Sequence, residues 1–235
     1  MDTFSTFLFW LLLSLLALTR AAHTANDFNT TAPAPAGYDP SIEYHGHATA
    51  EIWMGRWRTN IGDVTGTELY LKMYEQLQKH CYGGRDGCTF SGEGRIATHV
   101  MYSGDKVAES MYIHECEWTS DQSRKLLIGS MASTVQALTT ALSNCVDGPQ
   151  GWRKFCNISN YITVNFPTIG RKRNYLHARF YGGTLSGEFK CCASRVKVDR
   201  AIDWLGGEIG SLFGQSFRGE TRCIINGWKM CTSEP

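Results

Sequence analysis

The chain has 235 residues, with 23 positive and 22 negative side chains and a formal net charge of +1. This balance excludes a protein that binds nucleic acid by broad phosphate neutralisation, and we expect no nucleic-acid partner. With 43% hydrophobic and 12% aromatic residues, the chain can fill a core, which excludes global disorder. Its length fits one ordinary domain or two small ones.

A short apolar run near the amino terminus predicts secretion. Residues 7–18 contain a single polar side chain, Ser14. As a helix they would rise about 18 Å, which is too short for a hydrocarbon core of about 30 Å. Small residues follow the run, as signal peptidase requires. We therefore predict a signal peptide over residues 1–22 and a secreted, extracellular protein, with an uncleaved anchor or a buried helix as the alternative.

The rest of the chain divides into a spacer and a folded domain. Residues 23–46 are mainly Ala, Thr, Pro, Asn and Asp, so few apolar groups offset the entropy of ordering. We predict a disordered linker or propeptide there, and a single disulfide-rich domain over residues 47–235.

Within this domain, hydrophobic periodicity predicts a mixture of strands and helices. In chain order the predicted elements are a strand at 48–57, a helix at 67–80, strands at 96–102 and 107–113, a helix at 119–144, strands at 161–166, 175–181 and 189–198, and a helix at 201–217. Thr119 and Gln122 have the spacing of a capping box for the second helix, and a turn at 147–149 ends it. The predicted fold class is α+β, an antiparallel sheet packed with two to three helices and stapled by disulfides, as in an α/β sandwich.

Nine cysteines supply the disulfide candidates, and their number is odd, so one thiol stays free, pairs between chains or is handled by processing. A local disulfide between Cys81 and Cys88 would close a glycine-rich loop. Cys191 and Cys192 are adjacent, so each is expected to have a different partner. A zinc site is the alternative to disulfides, but no CxxC pair occurs, so we expect no metal. We also expect no cofactor. The nine candidates are Cys81, Cys88, Cys116, Cys145, Cys156, Cys191, Cys192, Cys223 and Cys231.

Two kinds of modification signal fit the secretory pathway. Asn29 and Asn157 begin glycosylation sequons. The basic triplet Arg171, Lys172 and Arg173 lies between two predicted strands. It is either a processing site, with cleavage after Arg173, or a solvated basic turn.

Positive charge is concentrated near the last predicted helix. Residues 171–200 carry eight Lys or Arg against two acidic residues, and glycines then recur at every fourth position. A basic strip beside an amphipathic helix can contact an anionic membrane or a partner. The alternative is a helix that simply packs on the sheet. The candidate contact residues are Lys190, Arg195, Lys197, Arg200, Trp204, Gly206, Gly210 and Gly214.

No complete catalytic motif occurs, and we assign no catalytic residue. A hairpin with its turn at residues 104–105 would place Arg95 opposite His114 and put His99 on the same face. Such a set can act as base, acid and phosphate clamp, as a small secreted ribonuclease needs. No carboxylate in the hairpin orients either histidine, so the alternative is a polar sheet face that meets water.

The leader, the Pro/Ala-rich spacer, the basic triplet and the cysteine set together resemble fungal secreted cysteine-rich proteins, namely the killer toxins of yeasts and smut fungi and the effectors of plant-associated fungi. The resemblance implies a small α/β sandwich that damages the membrane or blocks channels of competing cells. The chain departs from the smut toxins in length and cysteine spacing, so no functional residue is carried over.

The leading functional hypothesis is a secreted, non-enzymatic toxin or effector that acts at the surface or membrane of a target cell, with that membrane or a surface receptor as its partner. The alternative is a secreted hydrolase such as a small ribonuclease. A structural or adhesive extracellular protein is a third class, for which the sequence offers no repeat. The oligomeric state stays open.

Overall fold

A computed structural model of the chain describes residues 48–82, 88, 94–99, 106–148, 153–166, 174–181, 187–213 and 217–223. The predicted signal peptide (1–22) and linker (23–46) lie outside these ranges. The elements in chain order are β1 (Ala48–Met54), β2 (Arg58–Gly62), α1 (Gly66–His80), β3 (Gly94–His99), β4 (Lys106–Glu117), α2 (Asp121–Thr140), a 3-10 helix (Leu142–Asn144), β5 (Cys145–Asp147), β6 (Lys154–Ser159), β7 (Tyr161–Phe166), β8 (Asn174–Tyr181), α3 (Cys191–Phe213) and β9 (Phe217–Cys223).

Six of the strands form one large sheet, in the order β3-β4-β8-β7-β1-β9. Neighbouring strands are antiparallel except β1 and β9, which run parallel with Ala48 opposite Phe217. A second, three-stranded sheet has the order β2-β6-β5. Side chains alternate between the two faces of the large sheet. On β8, Leu176 and Ala178 are buried on the inner face, whereas Arg179 is exposed on the outer face.

Three helices pack side by side on the inner face of the large sheet. α1 contacts β3, α2 contacts β7 and β8, and α3 contacts β9, while α2 also packs against both other helices. This layered arrangement confirms the predicted α+β class, with one parallel strand pair added to an otherwise antiparallel sheet. Within the described ranges, no helix combines the length and the apolar character needed to cross a membrane.

The middle helix, α2, is buried on nearly every side. Leu127, Met131 and Leu138 are at most 1% exposed, and full burial of a side chain of this size contributes about 1.5–3 kcal/mol. Small polar residues are also buried on this helix, among them Ser130, Ser133 and Thr134. The hydroxyl of the buried Thr134 donates a hydrogen bond to the carbonyl of Ser130 at 2.8 Å, so this buried donor is satisfied within the helix.

Several predicted elements match the structure closely, and α2 shows where the prediction fails. The helix predicted at 67–80 and the strand predicted at 161–166 correspond to α1 and β7. The helix predicted at 119–144 ends earlier, at Thr140, and the 3-10 helix and β5 then precede the turn that was expected at 147–149. Its cap is Ser120 rather than the predicted pair of Thr119 and Gln122, because the Ser120 side chain accepts a hydrogen bond from the backbone N of Ser123 at 3.0 Å.

The strand predicted at 189–198 is wrong, because most of these residues open α3. Buried side chains recur there at helical spacing, at Cys191, Ser194, Val198 and Ile202. Basic residues stand between these positions, so polar and apolar residues seemed to alternate as they do in a strand. This alternation ends at the point where the helix had been predicted to begin.

Disulfide bonds staple the domain, as predicted. Cys145 bonds to Cys156 and joins β5 to β6, while Cys191 bonds to Cys223 and joins the start of α3 to the end of β9. Cys192 is also disulfide-bonded, so the two adjacent cysteines do have different partners. The Cys145–Cys156 bridge spans 11 residues, and closing a loop of that length contributes about 3 kcal/mol in the chain-entropy account.

Candidate functional site

The predicted catalytic set of Arg95, His99 and His114 is not assembled. In the β3–β4 hairpin, Arg95 lies opposite Ser110 and His99 lies opposite Lys106, so the predicted register is wrong by four positions. Since Ser110 and His114 are four residues apart along β4, about 13 Å of strand separates His114 from the position opposite Arg95. The side chain of His114 lies outside the described part of the chain.

His99 is held instead by Asp63, which follows β2 directly. Asp63 accepts a hydrogen bond from the backbone N of His99 (2.9 Å) and one from Arg153 Nη1 (3.0 Å), and its Oδ2 lies 3.0 Å from His99 Nδ1. We call these three residues the Asp63 clasp. Burial raises the pKa of the Asp63 carboxyl, but the hydrogen bonds and charges of His99 and Arg153 outweigh burial and hold this pKa below its ordinary value of 3.8.

The clasp corrects the expectation that His99 has no carboxylate partner. The partner comes from 36 residues earlier in the chain, which a hairpin-based argument does not reach. The clasp ties β2 and the segment before β6, both of the small sheet, to the edge strand β3 of the large sheet. Because both oxygens of the Asp63 carboxylate already contact His99 or Arg153, the clasp fits a structural role better than a catalytic one.

A second imidazole–carboxylate pair lies on the outer face of the large sheet. Glu115 on β4 lies opposite His177 on β8, and Glu115 Oε2 is 3.8 Å from His177 Nδ1. The Tyr175 hydroxyl donates to the other oxygen of Glu115 at 3.0 Å. The guanidinium of Arg179 lies 5.9 Å from the centre of the Tyr161 ring. We call these five residues the outer-face cluster; a carboxylate beside an imidazole and a cation is the arrangement of a general base.

A buried hydroxyl lies next to this cluster. Thr163 on β7 is opposite His177 and is 4% exposed, and its Oγ1 has no hydrogen-bond partner among the described residues. A buried polar atom left in this state costs about 1–3 kcal/mol, and a polar ligand on the outer face could satisfy it. The sequence did carry a signal for the site, because Tyr175, His177 and Arg179 alternate within a strand that was predicted correctly.

The predicted basic strip lies on α3, and Lys197 within it donates its Nζ to the Thr140 carbonyl at 3.0 Å. Lys197, Arg200 and Trp204 are exposed and follow one another at three- and four-residue spacing, with Val196 beside them. We call these four residues the α3 strip. Trp204 is 67% exposed, more than any other large hydrophobic side chain of the described residues. Val196 was missed because its segment had been predicted as a strand.

Two acidic residues of α3 accept hydrogen bonds from the backbone of β9. Asp199 Oδ1 accepts from the backbone N of Thr221 (2.8 Å) and Asp203 Oδ1 from that of Gly219 (2.7 Å), so both carboxylates face β9. Burial raises the pKa of the Asp199 carboxyl and is only partly offset by its hydrogen bonds with Thr221 and by the charge of Arg195. Arg200 precedes Asp203 by three residues, so the cations of the α3 strip and these acids lie on neighbouring sides of the helix.

The remaining predicted contact residues are less available. Lys190 is exposed, but Arg195 is half-buried and its Nε lies 3.5 Å from Asp199. Gly206 and Gly210 lie within α3, whereas Gly214 is outside the described residues.

The apolar face of α3 packs against the protein, as the alternative interpretation expected. Ile202 and Leu205 are at most 5% exposed. Leu205 lies against Gly129 of α2, where an added Cβ would come within 3.4 Å of it. The glycine that allows α2 and α3 to approach closely is therefore on α2. The exposed side of α3 is the side that is available to a partner.

The other predicted modification sites are buried or lie outside the described ranges. Asn157 lies on β6, is 7% exposed, and donates its Nδ2 to the carbonyl of Asn144 at 3.3 Å, so the folded chain leaves no room for a glycan there. This contradicts the expectation from its sequon. The sites predicted at Asn29, at the triplet Arg171, Lys172 and Arg173, and at Cys231 lie outside the described residues.

Potential metal ligands converge at one place in the described ranges. The sulfur atoms of Cys81, Cys88 and Cys116 all lie within 4.8 Å of one another, and all three residues are buried.

Comparison of the chain with known protein families, with curated proteins and with solved structures gave no match.

Proposed function

We propose that the protein is a secreted, non-enzymatic toxin or effector that acts at the surface of a target cell by docking the α3 strip on an anionic membrane. The observation that carries this proposal is the exposed Trp204, which follows Arg200 by one helical turn. Secretion belongs to the same proposal, since disulfides persist in oxidising compartments and an apolar leader precedes the domain.

The chemistry of the strip favours a membrane surface. Lys197 and Arg200 line a depression of about 310 Å³ between α2 and α3. Lys197 Nζ donates to the Thr140 carbonyl there at 3.0 Å, so Arg200 is the main cation for a phosphate head group. Tryptophan is favoured at the level of lipid head groups, because its ring is apolar and its N–H is polar. The carboxylates of Asp199 and Asp203 accept hydrogen bonds from β9, which partly compensates the negative charge that opposes an anionic partner.

The expected mode is interfacial and reversible. Burying the exposed part of one tryptophan contributes roughly 2.5–4 kcal/mol, and each cation near an anionic surface about 1 kcal/mol. The total of about 5 kcal/mol matches the marginal binding of a single acyl anchor. The apolar residues Ile202 and Leu205 stay in the core and make no contribution.

The test is co-sedimentation of the secreted protein with vesicles of phosphatidylserine and phosphatidylcholine. We expect Trp204→Ala to lower the vesicle affinity at least about 10-fold, which corresponds to about 1.4 kcal/mol. The matched control is Trp57→Ala, because Trp57 is 53% exposed but lies outside α3. Equal losses in both variants, or no binding by the unsubstituted protein, would contradict the proposal.

A second candidate function, a secreted hydrolase, is favoured by the outer-face cluster rather than by the residues predicted from the sequence. There His177 would act as the base, Glu115 would orient it, and Arg179 would stabilise a developing negative charge. The test is cleavage of single-stranded RNA by the protein and by His177→Ala, with His99→Ala as the control. RNA cleavage lost only in His177→Ala supports this candidate, and absence of cleavage by the unsubstituted protein removes it.

A further inference from the structure

A further inference, which does not depend on the proposed function, concerns three neighbouring cysteines: Cys81, Cys88 and Cys116. Cys88 lies within bonding distance of both other sulfurs. A sulfur atom forms only one disulfide at a time, so the three residues supply one bond and one thiol. We call them the cysteine trio.

The count of cysteines places the odd thiol of the chain in the trio. Of the nine cysteines, four form the Cys145–Cys156 and Cys191–Cys223 bonds and three form the trio. The two that remain are Cys192, which is disulfide-bonded, and Cys231. Since Cys192 has a partner, no thiol has to be left outside the trio.

The backbone allows Cys88 to reach either neighbour. Its Cα lies 4.2 Å from that of Cys81 and 6.0 Å from that of Cys116, near the range of roughly 4.4–6.8 Å that disulfides span. The backbone N of Cys88 also donates to the sulfur of Cys116 at 2.7 Å. This contact holds the Cys116 sulfur beside Cys88, and a thiolate is the nucleophile in disulfide exchange.

The two outer members of the trio are fixed on regular structure. Cys81 ends α1, where its N–H donates to the carbonyl of Leu77 and its carbonyl accepts from the buried Arg124 at 2.7 Å. Cys116 lies on β4, paired with Leu176 of β8. Two fixed sulfurs on either side of Cys88 hold the attacking and leaving groups in place.

We propose that the cysteine trio is an intramolecular thiol–disulfide exchange site. The thiolate of Cys116 attacks the sulfur of Cys88, the Cys88–Cys116 bond forms, and the Cys81–Cys88 bond breaks. Cys81 leaves as a thiolate and takes up the proton that Cys116 released. One disulfide and one thiol are present before and after, so the step needs no external oxidant or reductant. It interconverts a bridge spanning 7 residues with one spanning 28.

Non-reducing peptide mapping by mass spectrometry tests the proposal. The full secreted protein is quenched in acid, denatured, alkylated and digested. We expect one alkyl group per molecule, divided between Cys81 and Cys116, together with both Cys88–Cys116 and Cys81–Cys88 linked peptides. Alkylation confined to a single residue after incubation at both pH 5 and pH 8, or found on Cys88 or outside the trio, overturns the proposal. Three alkyl groups within the trio also overturn it and indicate a thiolate metal site instead.

Three cysteine variants test the same proposal in separate protein preparations. Cys81→Ser and Cys116→Ser should each retain the remaining bond of Cys88 and lose all alkylation. The control Cys145→Ser should add one alkyl group at Cys156 and leave the division between Cys81 and Cys116 unchanged. A covalent dimer in Cys81→Ser or Cys116→Ser would contradict the pairing, because these variants have an even number of cysteines and no thiol to spare.

Discussion

Replacing Asp63 by asparagine tests the Asp63 clasp. The Asp63 side chain is 15% exposed and receives hydrogen bonds from the His99 backbone and from Arg153. Asparagine keeps one oxygen for the His99 N–H, but it presents an NH₂ group where Oδ2 meets His99 Nδ1 and the Arg153 guanidinium. A hydrogen bond to a charged group contributes about 1.5–3 kcal/mol.

The two contacts of Oδ2 do not contribute equally. The Arg153 side chain is 54% exposed, so solvent screens its ion pair and we expect Arg153→Ala to cost only about 0.5 kcal/mol. The contacts with His99 are less exposed, and we expect Asp63→Asn to lower the free energy of unfolding by about 2–3 kcal/mol at pH 7. In a domain of this size that corresponds to a fall in Tm of roughly 4–12 °C.

The effect of the Asp63 substitution must depend on pH in a defined direction. Since the pKa of Asp63 is held below 3.8 in the folded chain, its carboxylate stabilises the fold above this value and loses the effect as the pH falls through the folded pKa. Urea unfolding with the disulfides intact, followed by circular dichroism, should show a clear difference from the wild type at pH 7 and little near pH 2. A difference below about 0.5 kcal/mol at pH 7, or one that persists at pH 2, would refute the reasoning.

Two further predictions concern local backbone structure. Gly62 has φ of 78°, and an added Cβ would collide with Thr98 and with the His99 carbonyl, so Gly62→Ala should lower the free energy of unfolding by more than about 3 kcal/mol. Gly66 has φ of 58°, but its surroundings are open, so Gly66→Ala should lower the free energy of unfolding by only about 1 kcal/mol in the same assay. Ser120→Ala removes the cap of α2 and should cost about 1 kcal/mol, and a loss below about 0.3 kcal/mol would assign the capping role elsewhere.

Elements with a local signal were predictable from the sequence. α1 and β7 each bury one face against the core, so their apolar residues recur at the period of their own secondary structure. The start of α3 was mistaken for a strand because two cysteines and interleaved basic residues hide the helical spacing. Its buried positions become recognisable only when the segment is joined to the residues that follow it.

The candidate sites depend on pairings that no local pattern encodes. His177 meets Glu115 because β8 pairs with β4 across 60 residues of sequence, as the Tyr175–Glu115 hydrogen bond also shows. His99 meets Asp63 because β2 and β3 approach at the junction of two sheets. The odd number of cysteines was evident from composition, whereas the position of the spare thiol required three sulfurs to be seen together.

Salt-dependent binding to vesicles tests the central claim most directly. The secreted protein is co-sedimented with vesicles that contain phosphatidylserine, and separately with vesicles of phosphatidylcholine alone. Because the strip joins two cations to one exposed tryptophan, we predict binding to the anionic vesicles, loss of that binding in about 0.5 M salt, and much weaker binding to the neutral vesicles. Absence of binding to anionic vesicles, or equal binding to both, would contradict action at an anionic membrane through the α3 strip.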